Sequence, residues 1–191
     1  MIKNLSVKFN GVAPLICHNG QTADPLNTYS QAIAKITAKR KKTPADLEEL
    51  ARLEFLASLY LHDGQPCLPA RVLKAIIASK GGAAGKERRR KDATAGMWVE
   101  APALIKYEGP TDPDEMWEDG RFRFTVAVIV NSSKVIRTRA MFQIPWSVST
   151  TYHYNDRLVD ERDIKRWLKI AGDEVGLCDW RPEYGRFECD Y

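Results

Sequence analysis

The chain is 191 residues long, with 29 Lys and Arg against 25 Asp and Glu, a formal net charge of +4 and 44% hydrophobic residues. That is enough for one good core, with or without an appended subdomain, and it excludes a disordered chain. No apolar run approaches the roughly 18 residues of a membrane span, and four cysteines and three histidines in no paired spacing make neither a zinc nor a disulfide framework.

The N-terminal stretch MIKNLSVKFNG alternates at once, with Leu5, Val7 and Phe9 on one side. This reads as a half-buried strand and not as a signal peptide, so a cytoplasmic protein is expected. Pro14 and Asn19-Gly20 then break the chain into a loop. From about Tyr29, Ala32, Ile33, Ile36 and Thr37 fall on one helical face. A second helix starts at Thr43, with Pro44 at its first position and Asp46 completing a variant capping box, and should end near His62. A third runs from about Pro69 to Lys80 and stops at Gly81-Gly82.

GGAAGKERRRKDATAGMW follows, without apolar periodicity. It reads as a mobile loop or a helical turn that orders on binding. MWVEAPALIKYEG looks extended, and TDPDEMWEDG is a turn-rich acidic connection. RFRFTVAVIV, Arg121 to Val130, is a strand whose second half is apolar on both faces. Asn131, Ser132 and Ser133 turn it into a second strand that bends at Pro145 and continues toward Tyr154. The segment around Asp160 to Gly172 is an amphipathic helix with Ile164, Trp167, Leu168 and Ala171 inward. A Gly-, Arg- and aromatic-rich loop, GLCDWRPEYG, then leads into a short final strand, RFECDY.

Without the extra helices this order is β-α-β-β-α-β. The expected fold is therefore α+β, a ferredoxin-like (RRM-like) core in a single domain, 1–191. A helical and basic-loop insertion, 26–96, separates the first and second core strands. One sheet face would be open and would carry function.

Charge is clustered. Lys39, Arg40, Lys41 and Lys42 end the first helix, where cations either complement the helix dipole or meet an anion. Lys86, Arg88, Arg89, Arg90 and Lys91 sit in the glycine-flanked segment with no face to pack, which points to an anionic polymer. Arg137 and Arg139 alternate onto one face of a strand: either a salt-bridged outer face or a phosphate track. Aromatics interleave with these charges at Trp146, Tyr152, Tyr154, Trp180, Tyr184 and Phe187. Stacked bases beside guanidinium groups are how single strands are held, although the ordinary place of a Trp or Phe is the core.

No phosphate-binding glycine loop, GxSxG or HExxH occurs. His18, after the first strand, is the one histidine placed to act as a general acid or base; a packed or capping histidine is the commoner role. The expectation is no catalytic residue, no metal and no cofactor.

The first strand followed by PLICHN, the insertion, two long strands and the closing GLCDWRPEYGRFE resemble the RAMP superfamily, the RRM-like proteins of CRISPR effector complexes. In size and layout the chain is similar to their guide-RNA-binding backbone subunit, and to small bacteriophage proteins of the same plan. The resemblance implies a backbone-approach loop at Gly176 and Gly185. It also implies that the basic segment, Arg137 and Arg139 grip a nucleic-acid backbone, with Arg181 and Arg186 near phosphate and Trp180 or Tyr184 near a base or a neighbouring subunit. The function so implied is non-catalytic, sequence-independent binding of single-stranded DNA or RNA, by a homo-oligomer or filament, in bacterial or phage-infected host cytoplasm. The alternatives are a RAMP-type endoribonuclease using His18, and a CRISPR-mimicking inhibitor or interaction protein.

Overall fold

The computed structural model describes all 191 residues. In chain order the strands are β1 (Ile2–Gly11), β2 (Leu15–Ile16), β3 (Leu61–His62), β4 (Gln65–Leu68), β5 (Met97–Trp98), β6 (Ala103–Lys106), β7 (Arg123–Val130), β8 (Ser133–Phe142), β9 (Ser147–Asn155) and β10 (Phe187–Asp190). The helices are α1 (Thr28–Thr37), α2 (Pro44–Ser58), α3 (Ala70–Ala78), α4 (Ala83–Lys86), α5 (Arg90–Gly96), α6 (Pro113–Asp119) and α7 (Glu161–Ile170). The class is α+β with antiparallel sheets.

The chain divides into two compact units. The first is Met1–Leu15, Leu61–Glu108 and Phe142–Tyr191; the second is Ile16–Tyr60 and Gly109–Met141. The segment expected as one insertion, 26–96, is therefore shared: its part up to Tyr60 folds in the second unit and its part from Leu61 in the first.

The first unit is built on a sheet of order β10-β1-β9-β6-β4-β3, with β5 also against β9. Alternation in β1 buries Leu5, Val7 and Phe9. Their partners across the ladder are Tyr152, Thr150 and Val148. Tyr152 is fully buried, and its hydroxyl donates to the Leu73 carbonyl of α3 at 2.8 Å, which satisfies a polar atom the core would otherwise strand. Helix α7 starts at Asp160, whose carboxylate accepts from the Asp163 N–H, and buries Ile164, Trp167 and Leu168. It does not stop at Gly172. It widens into a π turn over Ala171–Val175 and ends at Gly176. Gly172 serves a close approach instead: a Cβ there would lie 2.1 Å from the Phe187 carbonyl oxygen of β10.

The second unit holds α1, α2, α6 and the β7–β8 hairpin, whose strands belong to a three-stranded sheet of order β2-β8-β7. Thr43 and Asp46 form the expected capping box at the start of α2: the Asp46 N–H donates to Thr43 Oγ1 and the Thr43 N–H to the Asp46 carboxylate. The acidic connection is ordered as α6, capped by Asp112 and closed by Gly120 at φ +74°. Phe55 and Trp117 meet at 5.5 Å between ring centroids in this unit's core.

The middle strands differ from expectation. The stretch read as one bent strand is two: β8 ends at Phe142 in the three-stranded sheet, and β9 begins at Ser147 in the larger one. β7 and β8 are thus not the second and third strands beside β1. Alternation marks a strand but not its partner, because pairing is non-local. The doubly apolar end of β7 is not buried either; Ile129 is 72% exposed. Asn131 and Ser132, both at positive φ, make the tight two-residue turn that closes this hairpin.

Candidate nucleic-acid interface

The closing loop belongs to the first unit and is pinned at both ends by backbone. Leu177 N–H donates to the Gly185 carbonyl, Gly185 N–H to the Pro14 carbonyl, and Val12 N–H to the Arg186 carbonyl, all at 2.8–2.9 Å. Gly185 has φ +70°, and a Cβ on it would lie 2.1 Å from the Leu177 carbonyl oxygen. Within the loop Cys178 and Trp180 are also left-handed, at φ +60° and +56°. A bulky residue rarely adopts that conformation, and such strain concentrates at functional sites. Trp180 is 36% exposed, edge-on to Tyr184 at 6.4 Å between centroids. Arg181 and Arg186 are exposed. Cys178, Asp179, Trp180 and Arg181 line a shallow concavity of about 420 Å³.

The basic segment of the same unit is two short helices, α4 and α5, joined by a turn at residues 87–89, and its charges have separate fates. Arg89 points inward: it donates to Asp163 (2.5 Å), to Asp92 (3.0 Å) and to the Leu158 carbonyl, and lies 5.3 Å from the Trp167 ring centroid. Glu87 accepts from Arg166 and from Trp167 Nε1, and this bonding to Arg166 holds its carboxyl below the usual range. Arg89 and Glu87 therefore fasten α4 and α5 to α7. Lys86 pairs with Glu174 at 2.8 Å, two residues before the closing loop begins. Arg88, Arg90 and Lys91 remain exposed. The run of three arginines is resolved by facing, one inward and two outward, which composition alone does not reveal.

The face of the large sheet away from the core is short and polar. Ser6 and Thr151 hydroxyls meet at 3.0 Å, and His153 Nδ1 meets Asn4 Oδ1 at 2.7 Å. Trp146, Tyr152, Tyr154 and Phe187, expected as possible stacking aromatics, are all buried, which removes them from any binding surface. Trp98 stacks on His153 instead, at 5.7 Å and 17°. Lys8 and Lys106 are exposed on this sheet. Trp98 was legible only as part of an extended segment; nothing local distinguished it from a core residue.

In the second unit, Lys42 caps the end of α1 by donating to the Thr37 and Lys39 carbonyls at 3.1 Å, and Lys39 pairs with Asp46. Arg40 and Lys41 are exposed. Arg137 and Arg139 do share one face. They line a cavity of about 170 Å³ with His18, Asn19, Thr22, Ile33 and Glu54. Arg137 Nη1 donates to Glu54 Oε1 at 2.9 Å, and the Thr138 N–H donates to Glu54 Oε2 at 2.9 Å. Burial pushes the Glu54 carboxyl up, against the opposing pull of the Thr138 N–H and Arg137. Partial burial, and then the Arg139 charge, hold His18 below its usual value. The imidazole is thereby kept neutral at neutral pH.

No group of three or more His, Cys, Asp or Glu side chains is placed to hold a metal ion. No helix is long and apolar enough to cross a membrane. Comparison with known proteins assigns no family: no family model matches the chain, and no curated protein matches its sequence.

Proposed function

We propose that this protein is a non-catalytic, sequence-independent single-strand binding protein that self-associates along its ligand. The observation that carries the reading is the closing loop. Its backbone is clamped at both ends, Cys178 and Trp180 within it are left-handed, and it presents Trp180 and Arg181 to solvent. An aromatic that can stack on any base, beside a guanidinium that can pair with any phosphate, binds strands without reading sequence. Lys86 pairs with Glu174 just before this loop, and Arg88, Arg90 and Lys91 stand exposed on the segment that Glu87 and Arg89 fasten to Arg166 and Asp163 of α7; in this reading they add further phosphate contacts.

The fold reading is finer than its class: β1, α3, β6, β9, α7 and β10 are a ferredoxin-like split β-α-β core. The antiparallel order β10-β1-β9-β6, with α3 between β1 and β6 in sequence and α7 between β9 and β10, supports it. This core is also what the RAMP-like plan of the sequence calls for. Self-association is supported by the β7–β8 hairpin. Ile129, Val130 and Ile136 are exposed on it, and the outer edge of β7 is unpaired. A monomer normally blunts such an edge with charge. The experiment is a titration of labelled single strands and matched duplexes, with sedimentation of the same mixtures.

A further inference from the structure

We propose that β7 is a docking edge for a second copy of this chain: two β7 strands pair antiparallel about a two-fold axis, Ala127 opposite Ala127, and join two three-stranded sheets into one. The proposal rests on the reading of the β7–β8 hairpin as the self-association surface and gives that surface a partner, a symmetry and a register. The sheet edges differ in how they are protected. β3 is two residues long and β10 four, with Glu188 and Asp190 exposed on it. β7 has eight residues, lies at the end of the order β2-β8-β7 and pairs with β8 without a bulge. From Phe124 to Ser133, the strand and its turn carry no charge and no proline. β7 thus lacks the charge, proline and bulge that keep an edge from pairing.

The ladder fixes which backbone groups are on offer. The Met141 N–H donates to the Phe122 carbonyl, so that pair is hydrogen-bonded. Counting by twos along the regular register, so are Phe124 with Arg139, Val126 with Arg137, Val128 with Val135 and Val130 with Ser133. The alternate residues turn their N–H and C=O groups outward. Arg123 uses its N–H on the Gly120 carbonyl. Thr125, Ala127 and Ile129 remain, all exposed, Ile129 at 72%. With Ala127 on the axis, Thr125 lies across from the partner's Ile129, and Ile129 from the partner's Thr125. All three residues then bond in each copy, about six bonds in total. Sliding the strands by two residues sets one of the three opposite Arg123 or Asn131 instead. The side chains agree. Val126 lies across from the partner's Val128 and Phe124 from the partner's Val130, the β-branched and aromatic pairs that stabilise sheets. On the other face Ile136, 59% exposed, lies beside Ala127 on β8 and extends one apolar row through both copies of Ala127 to the partner's Ile136. Arg123, the one charge on β7, meets the partner's Asn131 and not its own copy. An uncharged edge of this length selects an uncharged partner strand, and β7 itself is one. Such a contact closes on itself, so the unit arrayed along a nucleic-acid strand is a dimer.

The test uses the full chain, first without nucleic acid. Sedimentation velocity over a range of concentrations should show a monomer–dimer equilibrium. Ala127→Pro removes an N–H that β8 does not use. It should keep the circular dichroism and melting of the wild type and weaken the dimer about tenfold or more. Crosslinking checks the register independently of how that variant folds. Under mild oxidant Ala127→Cys should form a covalent dimer, whereas Thr125→Cys should give no more than the wild type does with its own four cysteines. Thr125→Cys combined with Ile129→Cys should crosslink again. A dimer that persists in folded Ala127→Pro, or that crosslinks equally at 125 and 127, overturns the β7 pairing and leaves self-association to another surface. A chain that stays monomeric at every concentration also overturns the pairing; if it assembles once single strands are added, the self-association reading survives, and if it does not, both fall. Dimers of the expected register that bind no strand keep the pairing and overturn the single-strand reading.

Discussion

Glu54 reaches from α2 to the backbone of β8, where its Oε2 accepts the Thr138 N–H at 2.9 Å while Oε1 accepts from Arg137. One helical turn on, Ser58 accepts the Ala140 N–H. Two side chains of a helix thus do for the edge of β8 what a neighbouring strand does elsewhere. This explains why a carboxylate is tolerated in a half-buried place. Glu54→Ala should cost about 1–3 kcal/mol, because it strands a backbone donor and takes the carboxylate away from Arg137. Glu54→Gln keeps an acceptor for Thr138 and should be far milder. Denaturant titration of both variants, giving equal losses, would show that this bond to the strand edge is unimportant.

The arginines of the basic segment should separate cleanly. Arg88, Arg90 and Lys91 changed together to Ala should weaken binding to all single strands alike and flatten the salt slope by about 0.7 for each phosphate no longer neutralised. The melting temperature should hold. Arg89→Ala should do the opposite: it leaves the buried Asp163 with Arg166 as its remaining partner and should cost about 1–3 kcal/mol of stability. Thermal melts and strand titrations on the two variants check both halves.

Acid should loosen the first unit through Asp163. Burial opposes its ionisation, but Arg89 and Arg166 hold its pKa below the ordinary Asp value. A carboxyl depressed in the folded state contributes stability above its unfolded pKa, and loses it as pH falls through the folded one. Glu54, raised by burial, works in the other direction: its contribution declines as pH rises from the unfolded value to the folded one. Asp163→Asn should therefore flatten the acid limb of a stability-against-pH curve, with little change in shape near neutrality. An unchanged acid limb would assign acid sensitivity to other carboxyls.

The loop and the hairpin give two further contrasts. Gly185→Val should prevent folding or melt early, since its side chain would meet the Leu177 carbonyl at a positive φ. Arg181→Ala should fold normally and bind more weakly, and Trp180→Ala should lose about 1–3 kcal/mol of affinity with little loss of stability. On the hairpin, Ile129→Lys with Ile136→Lys should abolish self-association and leave the fold intact, as read by sedimentation and circular dichroism.

No cleavage of single-stranded RNA or DNA is expected, with or without divalent metal. Burial, and then the charge of Arg139, oppose proton uptake by the His18 imidazole, a setting poorly suited to cycling a proton. Specific cleavage that disappears in His18→Ala would replace the binding reading with a nuclease.

Local elements were legible because their signals are local. The Thr43–Asp46 capping box, the alternation of Leu5, Val7 and Phe9, and the stripe of Ile164, Trp167 and Leu168 each lie within a few residues. Partnership was not. Nothing around Arg89 announces Asp163, seventy-four positions away, and nothing in VAVIV distinguishes a buried strand from an exposed hairpin. Gly172 read as a stop because the β10 carbonyl it accommodates is also distant in sequence. The candidate site was half visible: Trp180 and Arg181 are exposed as expected, whereas Trp146, Tyr152 and Tyr154 belong to the core and Trp98 had no local signature.

The most direct test is fluorescence anisotropy of a labelled single strand of mixed sequence, against the same sequence as a duplex, over a range of salt. We predict saturable binding to the single strand, weaker binding to the duplex, and little dependence on sequence. The log–log salt slope should approach about −3.5 if Arg88, Arg90, Lys91, Arg181 and Arg186 all engage phosphates at about 0.7 each. Absence of single-strand binding at low salt, or equal affinity for the duplex, would contradict the single-strand reading.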